Sequence, residues 1–296
     1  MDNNSNTFTI RPMGRDLSLK AGEQATGTVT VSNQQDSVQS FSFTASVAPY
    51  GVRGEGYEAD LVTDGERTLL AKWITIDNPT GTLAPNESAE ISYTIDVPQN
   101  APGGGQYAAI LVSSTIDSGE ESDDSSMVKY VYEMASILYA DVEGETVHSG
   151  AITSHSVPAF STTSKIATTA QIENTGNTHE YAKISLTVTD FFSGEEIATS
   201  EESDMRVAEV ILPSTERQLI NNLDNLPTLG IITVKESIEY LGEDSTIEQR
   251  VIICPLWFLL LLAFTLVSIV AVIINRVRSA RDKLPEDKSA KSGMRL

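Results

Sequence analysis

The sequence predicts an all-β protein: two immunoglobulin-like β-sandwich domains in tandem, followed by one C-terminal transmembrane helix. Three observations carry this prediction. Apolar and polar residues alternate with a period of two through most of residues 8–250. One half of that body partly repeats the other. A 24-residue run without a charge, Val251–Ile274, follows the body.

The alternation is plainest in three segments. Ala25, Gly27, Val29 and Val31 alternate with Thr26, Thr28, Thr30 and Ser32. Phe41, Phe43, Ala45 and Val47 alternate with Ser42, Thr44 and Ser46. Ile91, Tyr93, Ile95 and Val97 alternate with Ser92, Thr94 and Asp96. Each reads as a strand with one buried and one wet face, as antiparallel sheets allow. Asn33–Asp36, Asp77–Pro79 and Pro85–Asn86 supply turn residues between them. Short strands at this spacing point to a sandwich, with Trp73 expected in its core.

The second half answers the first in the same order. Thr28–Asn33 ends a strand at an asparagine, and so does Thr169–Asn174, which continues into Thr175-Gly176-Asn177. Leu83-Ala-Pro-Asn-Glu-Ser88 is matched by Ile211-Leu-Pro-Ser-Thr-Glu216. Gly105 precedes the closing strand of one half and Gly230 that of the other. Such ordered self-similarity implies two domains of one topology. The expected division is a disordered N-terminus (1–7), a first sandwich (8–116), an acidic linker or loop (117–127), a second sandwich (128–250), the transmembrane helix (251–274) and a basic cytoplasmic tail (275–296).

Asp117–Asp124 places five acids in eight residues without one apolar side chain. It reads as a solvated loop or domain junction. The sharper alternative is a calcium site, although the ligand spacing and placed glycine of an EF-hand loop are missing.

At ~1.5 Å per residue the uncharged run gives about 36 Å of helix, enough for a bilayer core. Trp257 falls at its outer interface. Arg276, Arg278, Arg281 and Lys283 follow the run, and the last 21 residues hold seven Lys/Arg against three acids. Residues 1–250 carry 13 basic and 38 acidic residues. The positive-inside rule therefore puts the tail in the cytoplasm and the body outside. An exported body needs a secretion signal, and Met1–Asn6 has no apolar stretch to serve as one. The expectation is a signal removed from this version of the chain. The net charge of −21 argues against a nucleic-acid partner.

No catalytic set is readable. There is no Gly-x-Ser-x-Gly, no His-Glu-x-x-His and no phosphate-cradling glycine loop, and Gly103–Gly105 enters a strand rather than a helix. One cysteine and three histidines leave little for a metal site, so no cofactor is expected. His148, His155 and His179 stand isolated among small polar residues and read as surface histidines. Cys254 reads as an apolar filler at the membrane entry. The longest irregular stretch, Pro49–Arg67, places Tyr50, Arg53, Tyr57 and Arg67 among glycines. Aromatic and arginine side chains commonly anchor recognition, which makes these four a candidate ligand-binding loop.

Several segments, taken together, carry a family resemblance: Phe8–Pro12, Leu17–Glu23, Gly27–Asn33, Trp73-Ile74, Leu83–Ser88, and Val97-Pro-Gln-Asn-Ala-Pro-Gly-Gly104 leading to Tyr107–Ile110. In this order they resemble the WxL-interacting surface proteins of bacteria over about residues 8–116. Asn174–Asn177, Leu212-Pro213 and Cys254-Pro255-Leu256-Trp257 extend the likeness. The resemblance implies a peptidoglycan-binding first domain, a second sandwich that contacts partner or host proteins, and a single anchoring span. The expected function is a non-enzymatic, membrane-anchored cell-surface protein that binds peptidoglycan or another wall component, a partner protein, or both. The alternative is a membrane-tethered, chaperone-like component of a pilus or secretion assembly system, because chaperone sandwiches open with the same strand pattern.

Overall fold

The computed structural model describes residues 8–33, 40–54, 56–116, 130–201 and 209–282. In chain order the first domain contains β1 (Phe8–Arg11), β2 (Gly14–Leu19), β3 (Gln24–Asn33) and β4 (Phe41–Pro49). A small hairpin follows, β5 (Gly51–Arg53) and β6 (Glu58–Asp60), then one helical turn, α1 (Leu70–Trp73). The domain closes with β7 (Ile74–Ile76), β8 (Thr80–Leu83), β9 (Ser88–Asp96), β10 (Gly104–Ile116) and β11 (Tyr130–Val142). One sheet has the order β1-β3-β9-β7 and the facing sheet β2-β11-β10-β4-β8.

The period-two pattern explains the core between these sheets. Val29, Val31, Ile91 and Ile95 of one sheet meet Phe43, Ile110, Val112 and Leu138 of the other, with Trp73 closing the side. On β3 the intervening Thr26 and Thr28 stay exposed and Thr30 and Ser32 are half-buried. Gly27 pairs directly with Tyr93, whose ring lies across it. A Cβ at Gly27 would stand 2.3 Å from that ring, so only glycine fits.

The chain from Phe8 to Leu19 divides between the sheets. β1 runs antiparallel to β3, the chain crosses at Pro12, and β2 then runs parallel to β11. The Ser136 hydroxyl donates to the Pro12 carbonyl at 2.6 Å and fixes the crossing.

β11 moves the expected domain border. It pairs with β10 from Gly104↔Val142 to Ile116↔Tyr130, so the first sandwich extends to Val142 and not to residue 116. The acidic run that breaks the alternation falls between two neighbouring strands of one sheet. Asp117–Asp124 itself lies outside the described residues.

The second domain contains β12 (Gly150–Ser156), β13 (Phe160–Ser161), β14 (Ile166–Asn174), β15 (Glu180–Asp190), β16 (Glu196–Glu201), β17 (Glu209–Ile211), β18 (Thr215–Leu223), β19 (Gly230–Tyr240) and β20 (Glu243–Ile253). Its sheets are β12-β14-β18 and β13-β20-β19-β15-β16, with β17 also on β15. The repeat seen in the sequence has a structural basis. Asn33 and Asn174 are both buried, and their side-chain amides donate to the carbonyls of Leu83 (3.2 Å) and Ile211 (2.9 Å). In the turns that follow, Asn86 and Ser214 both adopt positive φ, +66° and +59°.

The second core is split by a polar seam. Ile166, Val188, Val234 and Val251 form one apolar cluster; Ile172, Ile184, Leu219 and Ile238 form another. Between them the Glu236 carboxylate, 1% exposed, accepts from Thr168 Oγ1 (2.7 Å) and Asn221 Nδ2 (2.6 Å), and lies 3.1 Å from His155 Nε2.

The helix α2 (Leu256–Asp282) follows. Its segment Leu256–Ser279 is 24 residues long with mean hydropathy 2.9 and no burial in the protein, and is a candidate membrane span. The helix starts five residues later than residue 251. Val251 and Ile253 are fully buried in the second domain, and these β-branched residues complete β20 rather than begin the helix.

Glu236→Ala should lower the stability of the second domain by about 3–5 kcal/mol, because it leaves buried donors without their acceptor. Urea unfolding followed by circular dichroism measures the loss. The first domain, reported by Trp73 fluorescence in a Trp257→Phe background, should keep its transition.

Candidate interaction surfaces

The change of sheet at Pro12 leaves half of β11 uncovered. β2 reaches only Ile137–Val142. The Ile137 N–H donates to Met13 O (2.9 Å) and the Glu143 N–H to Leu19 O (2.8 Å), so odd-numbered backbone groups face the β2 side. The N–H and C=O of Val131, Glu133 and Ala135 therefore point outward, and among the described residues no strand pairs with them. Along this stretch Met134 packs on the core, while Val131 and Tyr132 are 64% and 41% exposed. An open edge with apolar side chains and the single charge of Glu133 is a template for another strand.

The equivalent edge of the second domain is guarded. There the Ile252 N–H donates to Ala159 O (3.0 Å) and the Cys254 N–H to Ser161 O (2.9 Å), which turns even-numbered groups outward. Those positions carry Asp244, Thr246, Glu248 and Arg250. Charges of this kind discourage strand addition.

Three of the four candidate loop residues, Tyr50, Tyr57 and Arg67, converge on the Tyr107 and Tyr139 rings, and Arg53 stands apart. Tyr50 packs edge-on against Tyr139, with centroids 5.9 Å apart. Arg53 is exposed on β5. The Tyr57 hydroxyl accepts from the Leu212 N–H at 2.6 Å and lies 3.2 Å from Thr215 Oγ1, while the Arg217 guanidinium sits 4.7 Å over its ring. Arg67 accepts the Tyr107 N–H at its carbonyl (2.8 Å) and reaches Gly103 O with Nη1 (3.4 Å). The stretch thus sends Tyr57 onto the second domain and keeps Arg53 in solvent.

Tyr57 belongs to a joint between the sandwiches whose centre is His179. The imidazole is 9% exposed and lies among the rings of Tyr107, Tyr139 and Tyr181, at 5.7, 5.4 and 5.5 Å. Asp16 of β2 accepts from the Tyr181 hydroxyl and lies 3.3 Å from His179 Nε2. His179 Nδ1 is buried without a hydrogen-bond partner among the described residues. The Gly105 N–H donates to Asn177 O (2.8 Å), and Thr178 Oγ1 donates to Asp141 (3.3 Å). Burial holds the His179 imidazole below its ordinary value, against the pull of Asp16, Asp141 and Glu180. Burial likewise pushes the Tyr107 and Tyr139 hydroxyls far up.

Two of the three histidines are therefore not surface residues. The His155 side chain is 4% exposed, whereas His148 is 57% exposed. His155 Nδ1 also lies 3.2 Å from Ser245 Oγ, so Ser245, His155 and Glu236 form a hydrogen-bonded chain within the polar seam. Nothing local marks either buried histidine in the sequence, because their partners are 81 and 163 residues away. Among the described residues no three His, Cys, Asp or Glu side chains group to hold a metal ion. On α2, Trp257 is 63% exposed and Arg276 and Arg278 are exposed near its C-terminal end. Arg281 lies in the last turn of α2, and Lys283 falls outside the described residues.

No family model matches the sequence, and no curated protein matches it. Solved structures similar to the chain include a chaperone–tip adhesin complex of CFA/I fimbriae biogenesis, 13% identical over 83% of this chain and 98% of that one, TM-score 0.38. The class 5 fimbriae chaperone CfaA is 14% identical over 83% of this chain and 99% of its own, TM-score 0.37. The CsuC–CsuE chaperone–tip adhesion subunit pre-assembly complex of Acinetobacter baumannii is 14% identical over 82% and 98%, TM-score 0.38.

The joint should be acid-sensitive. A histidine whose folded pKa is depressed contributes stability that is complete above its unfolded value near 6.5 and declines as pH falls toward the folded value. Thermal unfolding between pH 7.5 and 5 should show that decline in the native protein. The His179→Gln variant should show a flatter profile over the same range, and parallel profiles would contradict this assignment.

Proposed function

We propose that this chain is a non-enzymatic, membrane-anchored cell-surface protein whose first sandwich takes an extended segment of a partner protein as an added strand. The open half of β11 carries the proposal: outward N–H and C=O groups at Val131, Glu133 and Ala135 next to exposed Val131 and Tyr132. Main-chain pairing gives such a complex its affinity, and alternate side chains give it selectivity. The anchor in this reading is α2. Its basic C-terminal end and the acidic body support a tail inside and a body outside.

A surface protein that keeps its partner and a tethered chaperone that passes a client on would both use such an edge. They differ in how long the captured chain stays. Binding to wall polymer, implied by the WxL-interacting resemblance, is a separate activity and needs no free edge.

The experiment is photo-crosslinking on intact cells from a reactive residue in place of Val131, with and without Ala135→Pro. The proline removes an outward N–H and leaves the β10 ladder whole, so the domain should fold normally. The crosslinked protein should fall about tenfold, as a loss of ~1.4 kcal/mol implies. Met134→Pro, whose N–H faces β10, should instead destabilise the domain. Unchanged crosslinking in Ala135→Pro would remove the edge from the function. Retention on purified peptidoglycan with or without that proline would point to the wall as the ligand.

A further inference from the structure

Large exposed apolar side chains gather at the end of the second domain from which α2 departs. Gly230 pairs with Ile253, and Ile252 pairs with Ile231 on one side and Phe160 on the other. β15 ends at the same level: Asp190 pairs with Ile232, and the Phe191 N–H donates to Ile231 O at 3.1 Å. Here Phe192 is 79% exposed, Ile252 48%, Phe160 47% and Leu229 45%.

The turn that presents Phe192 is well braced. Asp190 Oδ1 accepts from the N–H groups of Phe192 (2.9 Å) and Ser193 (2.8 Å) and from the Ser193 hydroxyl (3.0 Å). Phe191 supports the Phe192 ring edge-on at 5.1 Å, with the Arg250 guanidinium 4.6 Å over its other neighbouring face. Asp190 is held by its turn, Asp224 pairs with Lys165 at 2.8 Å and Arg250 lies against Phe191, while the carboxylates of Glu195 and Glu196 beside the turn are exposed.

Chain geometry decides what covers this patch. Only Cys254 and Pro255 separate β20 from α2. Cys254 N is tied to Ser161 O (2.9 Å), and Pro255 O already accepts from the Phe258 and Leu259 N–H groups (3.0 and 3.2 Å). Two residues span at most about 7 Å, so the patch cannot stand off from the point where α2 enters the bilayer.

We infer that this end of the second domain is a lipid-contacting foot, in which Phe160, Phe192, Leu229 and Ile252 seat in the interfacial layer of the bilayer beside Trp257. The inference rests on the membrane reading of α2 given above. Trp favours that layer and Phe and Leu commonly dip into it from interfacial elements, and an apolar cluster of this kind otherwise calls for a protein partner. Seated this way, the domain stands directly on the membrane.

The test uses the full chain with Cys254→Ser, carrying Phe192→Cys, Val62→Cys or Leu261→Cys, each labelled with an environment-sensitive fluorophore. Each is reconstituted in phosphatidylcholine vesicles with and without a lipid bearing a quencher near the headgroup. Val62, 86% exposed on the first domain, reports free solvent, and Leu261 reports the span. The label at position 192 should shift to shorter wavelength and lose most of its emission to the quencher, while that at 62 is unaffected. A dark label at 261 with a bright, unshifted label at 192 would overturn the foot and leave the span standing. Labels bright at all three positions, with no flotation on vesicles, would overturn the membrane reading and the foot with it.

Discussion

The first strand of each sandwich must serve both sheets, and in each a proline makes the change. In the first domain β1 pairs with β3, Pro12 follows, and β2 pairs in parallel with β11. In the second, β12 pairs with β14, Pro158 follows, and β13 pairs in parallel with β20. The residue after each proline accepts the first hydrogen bond of the new pairing: Met13 from Ile137 and Ala159 from Ile252. Proline has no N–H to leave stranded between the sheets, so it suits a residue that belongs to neither ladder. Everything else about the edges follows. A strand divided in this way covers only part of its parallel neighbour, and among the described residues no strand takes the rest.

The two domains use that vacancy differently. On β20 the outward positions carry Asp244, Glu248 and Arg250, and the edge is closed to strangers by charge and its desolvation cost. On β11 the outward positions carry Val131, Glu133 and Ala135. One topology, built twice, thus yields a protected edge and an open one. The difference lies in three or four side chains rather than in the backbone.

Much of the fold was legible because period-two patterning is written in contiguous residues. The asparagine turns were legible too, and their buried amides show why: each ties the end of one strand to a carbonyl about 40–50 residues on. The domain border was not. The acidic run between residues 117 and 124 breaks the alternation, as a linker would, yet β10 and β11 on either side of it pair over thirteen residues each. An acidic composition does not say whether the strands on either side of it belong to one sheet or to two domains. The joint was out of reach for a different reason. Tyr57 appeared in a glycine-rich stretch as a free aromatic, and His179 as an isolated polar residue; each acquires its partners only when the domains meet. The same holds for His155, which a strict period of two from Ile152 places on the wet face and which the bulge between Ile152 and Ser154 turns inward. Glu236 instead falls in phase with Ile232, Val234 and Ile238, so the period itself puts it on the buried face.

The joint and the start of α2 lie at opposite ends of the second domain, and this ordering gives the open edge its setting. His179, Leu212 and Thr215 meet the first domain at the end where β19 finishes, beside Tyr240 and Ile211. Gly230, where β19 begins, pairs with Ile253, three residues before α2. Eleven residues of strand at ~3.3 Å each separate the two ends by about 35 Å. Tyr57, Asp16 and the ring cluster around His179 join the first domain to this strut through side-chain contacts from β2, β10, β11 and the β5–β6 hairpin, not through one peptide connection alone. Contacts from several elements restrict rotation in a way a single linker cannot, so the edge of β11 is held at a set distance and heading from the start of α2. In the proposed reading a partner strand meets an edge whose orientation is already fixed, and less conformational freedom is lost on binding than a loosely tethered domain would lose.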